Sequence, residues 1–290
     1  MPTRLSFHSN TLSSENVEWR ESMKTTRTWF WPIVLCAILV LPLILVLFHQ
    51  NPTHKNPNPP LTHSEKVKAT AKKPKLQIYW GVDSTTKADQ AFLKCIKNHY
   101  GKPVVFGRYL RTKTGVSAGL TAKEAVFLHK QGIKIIPIFN HFTNATSYKN
   151  GAREAKEAIA YAKKIGMPKG TALFADIEPK YPVDEGFIRG WVDTLSASPY
   201  KPGIYGVFTN DNEISSAYKK AVAKDKKVAS NTLIWSSNPT AGNTKKGNAP
   251  KFNPNAPKNI KATIWQYGID GKACNIDTNL IKSNDLPFLW

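Results

Sequence analysis

Residues 76–290 predict an α/β fold, a TIM-type (β/α) barrel with some irregularity, and three observations predict it. Seven apolar runs of strand length recur over about 215 residues, and most of the gaps between them carry helix patterns. One run, residues 172–178, is apolar at Ala172, Leu173, Phe174, Ala175 and Ile177, the pattern of a strand buried on both faces in a parallel sheet. No G-x-G-x-x-G or G-x-x-x-x-G-K motif follows any run, which favours closure into a barrel over a doubly wound nucleotide-binding sheet; no cofactor is expected.

The chain has 290 residues, 41% of them hydrophobic, enough for one large domain with additions at its front. Residues 1–28 read as a short cytoplasmic tail. Residues 29–48, WFWPIVLCAILVLPLILVLF, hold no charge, and 20 residues at about 1.5 Å each reach about 30 Å, the hydrocarbon thickness of a bilayer. Pro32 and Pro42 are tolerated in a membrane helix. The run exceeds the h-region of a signal peptide and no A-x-A-like site follows it, so a single uncleaved transmembrane anchor is expected. Arg20, Lys24 and Arg27 before it nearly balance Lys55, Lys66 and Lys68 after it. The bulk of the chain follows the span, and large domains translocate largely regardless of charge; the C-terminal domain is therefore placed outside the cytoplasm, at the cell membrane. Residues 49–75, rich in Pro, Asn and Lys, read as a flexible linker with nothing to bury.

In the domain, strands are expected at 78–83, 104–110, 134–140, 172–178, 203–208, 233–237 and 262–267, with an eighth in the Asn/Pro/Lys-rich stretch 238–259. LTAKEAVFLHKQG reads as a helix with a Thr cap, Glu at the third position and a stop at Gly132. GAREAKEAIAYAKKIG reads as an amphipathic helix closed by Gly166.

The candidate chemistry lies at the strand ends. Asp176 and Glu178 stand two apart, so in a strand they face one side about 6.6 Å apart along the axis. Strand one ends in Asp83, and Asp277 follows the last run, bringing four acids to one rim. Acids are otherwise scarce there: residues 1–75 hold 10 basic and 4 acidic residues, leaving the domain 31 and 16, net +15. Crowded carboxylates raise one another's pKa, so one stays protonated as a general acid while another stays ionised. Glu178 is expected to hold its proton more readily than Asp176. Glycoside hydrolysis uses such a pair, and i, i+2 spacing falls between the retaining and inverting geometries. A hard, oxygen-ligated divalent ion is the competing use of the same acids, although no His lies in these motifs and no metal is assigned.

GVDST at the first strand, ADIEP at the fourth, PGIYG at the fifth and IWQYG followed by NIDTN together resemble the glycoside-hydrolase-like domain family related to the family 25 muramidases. The resemblance covers residues 76–290. It implies an irregular β/α barrel, Glu178 as the acid, Asp176 as the residue that stabilises the reacting sugar, and Asp83 and Asp277 lining the same cleft. Tyr205, Gln266, Trp265 and Tyr267 are the candidate substrate-binding side chains beside them, as rings and polar tips that could meet a sugar.

The net charge of +21 fits an acidic partner. No nucleic-acid motif is present, and the expected partner is cell-wall polysaccharide, peptidoglycan with its anionic polymers, met by a monomer. Two classes of function stand: a membrane-anchored glycosidase of the muramidase kind, or a non-catalytic barrel that binds the wall. Cys95 and Cys274, on the first and last units of a closed barrel, are either a disulfide or two buried thiols.

Overall fold

The computed structural model describes residues 75–290, so the expected tail, the expected transmembrane helix at 29–48 and nearly all of the expected linker lie outside the described residues. Among the described residues, no helix is long and apolar enough to cross a membrane. Eight strands close into one barrel in chain order: β1 (Ile78–Ser84), β2 (Val105–Tyr109), β3 (Lys134–Phe139), β4 (Ala172–Asp176), β5 (Lys201–Gly206), β6 (Leu233–Ser237), β7 (Ala262–Gly268) and β8 (Asp277–Lys282). Six helices lie outside: α1 (Gln90–His99), α2 (Ala122–Lys130), α3 (Tyr148–Lys164), α4 (Glu185–Ser196), α5 (Glu213–Lys224) and α6 (Lys227–Asn231).

All seven expected strands are present and pair in parallel. The eighth is not in 238–259, which is largely loop with one short turn of 3₁₀ helix at Lys246–Asn248. It is β8, which runs antiparallel to both β7 and β1 and closes the barrel. Its sequence, DTNLIK, hides it: Thr278 and Asn279 are both buried, on opposite faces, so the apolar alternation that marks a strand is missing at its amino end, where the inward face meets the polar mouth of the barrel.

Alternation along each strand sorts the side chains. Inward-facing Val105, Ile136, Ile138, Phe174, Trp235, Ile264 and Ile281 fill the barrel as one apolar cluster. Outward-facing residues build two further clusters against the helices. Phe139, Leu173 and Ile204 pack with α3, α4 and α5, while Trp80, Phe106, Trp265 and Tyr267 pack with α1 and α2.

The helix ends form as their sequences dictate. Thr121 caps α2 by accepting from the Glu124 amide at 3.1 Å, and Gly132 and Gly166 end α2 and α3 at φ of 70° and 76°, where a side chain would be strained. Glu124 is not the capping-box partner its position suggests. It is buried, accepts from the Ala88 amide at 2.8 Å and pairs with buried Arg108 at 2.7 Å, tying the loop after β1 to β2 and α2. α3 and α4 touch backbone to backbone. A Cβ on Gly151 would lie 2.1 Å from the Phe187 carbonyl oxygen, and one on Gly190 would lie 2.1 Å from that of Tyr148.

Cys95 and Cys274 form a disulfide, with Cα atoms 6.2 Å apart, that joins α1 to the loop between β7 and β8.

Candidate functional site at the carboxyl rim

The apolar filling of the barrel gives way to polar side chains at the carboxyl ends of the parallel strands. A pocket of about 50 Å³ is lined there by Asp83, Tyr109, Ile138, Asp176, Glu178, Tyr205, Trp235, Gln266 and Asp277. The four acids singled out in the sequence therefore meet in one place. Asp83 comes from β1 and Asp176 from the last residue of β4, while Glu178 stands two residues past the strand's end. Asp277 arrives by a different route from the others. It is the first residue of β8, and only an antiparallel strand can bring its amino end to a rim made of carboxyl ends. Directly paired with Asp83 across the ladder, it lines the same pocket. Gly107 on the neighbouring strand leaves room for this, since a Cβ there would lie 2.5 Å from that of Asp83.

Two pairs of carboxylates result. Asp176 is only 4% exposed. Burial, then the charges of Glu178 and Asp83, then a hydrogen bond to Glu178 hold its carboxyl well above the usual carboxylate range. Glu178 is raised less: burial lifts it, while the hydrogen bond from Asp176 and the Lys113 ammonium pull it down. Burial and neighbouring charge thus raise Asp176 further than Glu178, whereas the sequence predicts that Glu178 holds its proton more readily. The reason is depth, since Asp176 lies inside the barrel mouth and Glu178 beyond it.

In the second pair, burial pushes Asp83 up to about 6 against the hydrogen bonds of Asn279 and Gln266. Burial and the Asp83 charge push Asp277 up to about 8. Asn279 Nδ2 donates to Asp83 Oδ2 at 2.6 Å, and its own carbonyl accepts from Trp235 Nε1 at 2.9 Å. The Asp270 amide donates to Asp277 Oδ1 at 2.8 Å.

Of the predicted substrate-binding side chains, Tyr205 and Gln266 line the pocket and Trp265 and Tyr267 do not. Successive residues of β7 face opposite ways, so Gln266 points in while its two neighbours point out. Trp265 Nε1 donates to the Asn238 carbonyl at 3.0 Å, and the Tyr267 hydroxyl accepts from Trp80 Nε1 at 2.9 Å. Both are pieces of the helix layer. Gln266 lines the pocket with its polar ends already engaged by protein groups, so it is not free to hold a sugar.

Asn279 and Lys113 were not legible beforehand. Asn279 is two residues from Asp277 and would have been found had β8 been recognised. Lys113 lies on the loop after β2, where no periodicity marks it; its ammonium donates to the Asn140 carbonyl at 3.1 Å. Among the described residues, no cluster of His, Cys, Asp and Glu has the arrangement to hold a metal ion.

Comparison with known proteins agrees with this architecture. Residues 96–282 match the family described as Rv2525c-like, glycoside hydrolase-like domain. An uncharacterized protein of B. stearothermophilus of known structure is 38% identical with a TM-score of 0.71, over 73% of this chain and 100% of that one. The catalytic domain of the endolysin ply40, from bacteriophage P40 of Listeria monocytogenes, shares the fold at a TM-score of 0.50 and 18% identity, over 73% of this chain and 96% of that one. A family GH25 lysozyme from Aspergillus fumigatus is 16% identical with a TM-score of 0.45, over 71% of this chain and 94% of that one. No curated protein matches the sequence. The family match spans the barrel from α1 to the end of β8, including the D-x-E pair and Asp277, and the chain belongs to the Rv2525c-like family of glycoside hydrolase-like domains.

Proposed function

We propose that this protein is a glycoside hydrolase of the muramidase kind that cleaves a cell-envelope polysaccharide, peptidoglycan, outside the cytoplasm while anchored in the membrane through residues 29–48. The observation that carries the reading is the convergence of four carboxylates on one rim pocket of a domain with net charge +15. Such crowding is electrostatically unfavourable unless the acids have a use. The fold shared with the catalytic domain of a phage endolysin supports a wall polymer as the substrate. The Cys95–Cys274 disulfide supports an oxidising compartment, and the uncharged 20-residue run supports the anchor.

The Asp176–Glu178 pair holds one proton in common. Glu178 is the more exposed partner and the one a glycosidic oxygen meets. As that oxygen arrives, the proton passes from Asp176 to Glu178 and on to the leaving oxygen. The bond to the anomeric carbon then breaks, and its electron pair stays on the oxygen. Asp176, left ionised, faces the positive charge that develops at that carbon, as nucleophile or as partner of the substrate's acetamido group. Lys113 offsets the second negative charge of the pair. Water then adds its oxygen to the anomeric carbon, displacing Asp176 if it had bonded there, and the proton it gives up returns to the Asp176–Glu178 pair.

The test is release of reducing ends from purified peptidoglycan by residues 76–290, set beside a Glu178→Gln variant. Release by the wild type and not by the variant supports the assignment. Equal wall binding with no release by either form points instead to a binding barrel.

A further inference from the structure

The polar floor of the pocket is organised around one carboxamide. Gln266 is 2% exposed, and every arm of its side chain is engaged. Its Oε1 accepts from the Tyr205 hydroxyl at 2.8 Å and from the Ser237 hydroxyl at 2.7 Å. Its Nε2 donates to Asp83 Oδ2 at 3.2 Å and to Asp277 Oδ2 at 3.3 Å. An amide nitrogen has two hydrogens, so each carboxylate takes one. The opposite orientation would aim the amide oxygen at an ionised carboxylate and its two hydrogens at two hydroxyl oxygens; two hydroxyls, able to donate to Oε1, hold the amide the right way round.

We propose that Gln266 is a positioning residue that binds Asp83 and Asp277 into one pair through a single amide group, and so decides where negative charge stands on the pocket floor. The groups facing the pair are Tyr109 from β2, Asp176 and Glu178 from β4 and the turn after it, Tyr205 from β5, Asn279 from β8, and Asp270 from the β7–β8 loop. None of the other pocket-lining side chains donates to both members of the pair. Among the described residues only Gln266 spans them, and Asn279 and the Asp270 amide each serve one. The amide's hydrogen bond lowers Asp83 against the burial that raises it, while Asp277, also raised by burial, takes the second hydrogen of the same amide.

The proposal rests on the hydrolase reading for its kinetic readout alone, and a titration tests it independently. The full chain in detergent micelles, labelled with [¹³C]carboxyl aspartate, is titrated by NMR as wild type and as Gln266→Met, with Asp83→Asn and Asp277→Asn used to assign the signals. Loss of the shared donor moves both midpoints up by about one pH unit or more, a tenfold change in proton affinity. Gln266→Asn, shorter but still an amide, restores at least one of the two. Unmoved midpoints in a folded Gln266→Met chain overturn the proposal, whether or not stability falls. Where wall hydrolysis is measurable, the acid limb of kcat/KM shifts alkaline by the same amount with KM within about twofold of wild type. A raised KM on an unshifted profile would make Gln266 a substrate ligand and overturn the positioning role. Failure of the hydrolase reading leaves the titration untouched.

Discussion

Asp277 exchanges its proton with folding over an unusual range. In the unfolded chain its carboxyl ionises near 3.8, and in the folded protein near 8, so the native state binds a proton that the unfolded state has released. That stabilisation is complete below about pH 4, declines as pH rises, and is gone above about pH 8. Asp83 behaves likewise over the narrower range up to about 6. Asp277→Asn mimics the protonated form at every pH. Its stability should therefore gain on wild type by a few kcal/mol, on the order of magnitude set by linkage, between pH 4 and 8. Urea unfolding at pH 4.5, 6 and 8 measures this, and a gap that stays constant would contradict it. At the D-x-E pair, Asp176→Asn and Glu178→Gln should each abolish turnover and leave the melting temperature unchanged or higher, because functional acids are held at a cost to stability. A large loss of stability in both variants would mark the pair as structural. This pair was readable because i, i+2 spacing in a strand is a geometric fact. The same rule, applied to 265, 266 and 267, already forbids all three from reaching one pocket, and it is what removes Trp265 and Tyr267 from the site.

At the scale of elements, the tightest fit is between α3 and α4. Gly151 and Gly190 let their backbones meet, and a methyl group at 190 would overlap the Tyr148 carbonyl oxygen. Gly190→Ala should cost about 1–3 kcal/mol or more through overpacking, seen as a lowered thermal midpoint with turnover retained at low temperature. A neutral substitution would mean that the helices separate without penalty. Helix ends were legible because their signals are local: a threonine that accepts an amide hydrogen, a glycine that takes positive φ. β8 was not, since its identity depends on what it packs against. The inward residues at the start of this strand, Asp277 and Asn279, are polar because the barrel mouth is polar, and that is a property of the assembled rim. Glu124 shows the same limit, its position in the helix suggesting a cap while its burial with Arg108 depends on a distant strand.

For the whole molecule, the disulfide is the longest-range covalent constraint, closing a loop across 179 residues. Chain entropy puts its worth at about 5 kcal/mol, less any distortion of the native state. Cys95→Ser or reduction should therefore lower the melting temperature by roughly 10–20 °C. Calorimetry with and without reductant checks this, and coincident transitions would refute it. Protease should cut first within 49–75 and leave one compact fragment; early cuts inside 76–237 would count against a single domain. Strand–helix alternation made the barrel legible at this scale, but the direction of its last strand was beyond reach, and that direction has a spatial outcome. Because β8 runs backward, Lys282 lies beside Ile78, and the Ser283 amide bonds the Gln77 carbonyl at 2.8 Å. Both the entry to the barrel and its final strand thus finish on the side away from the acids. The described chain therefore enters the barrel at the end opposite the pocket. A substitution at that end, remote from the four carboxylates, should leave turnover at the pocket unaltered.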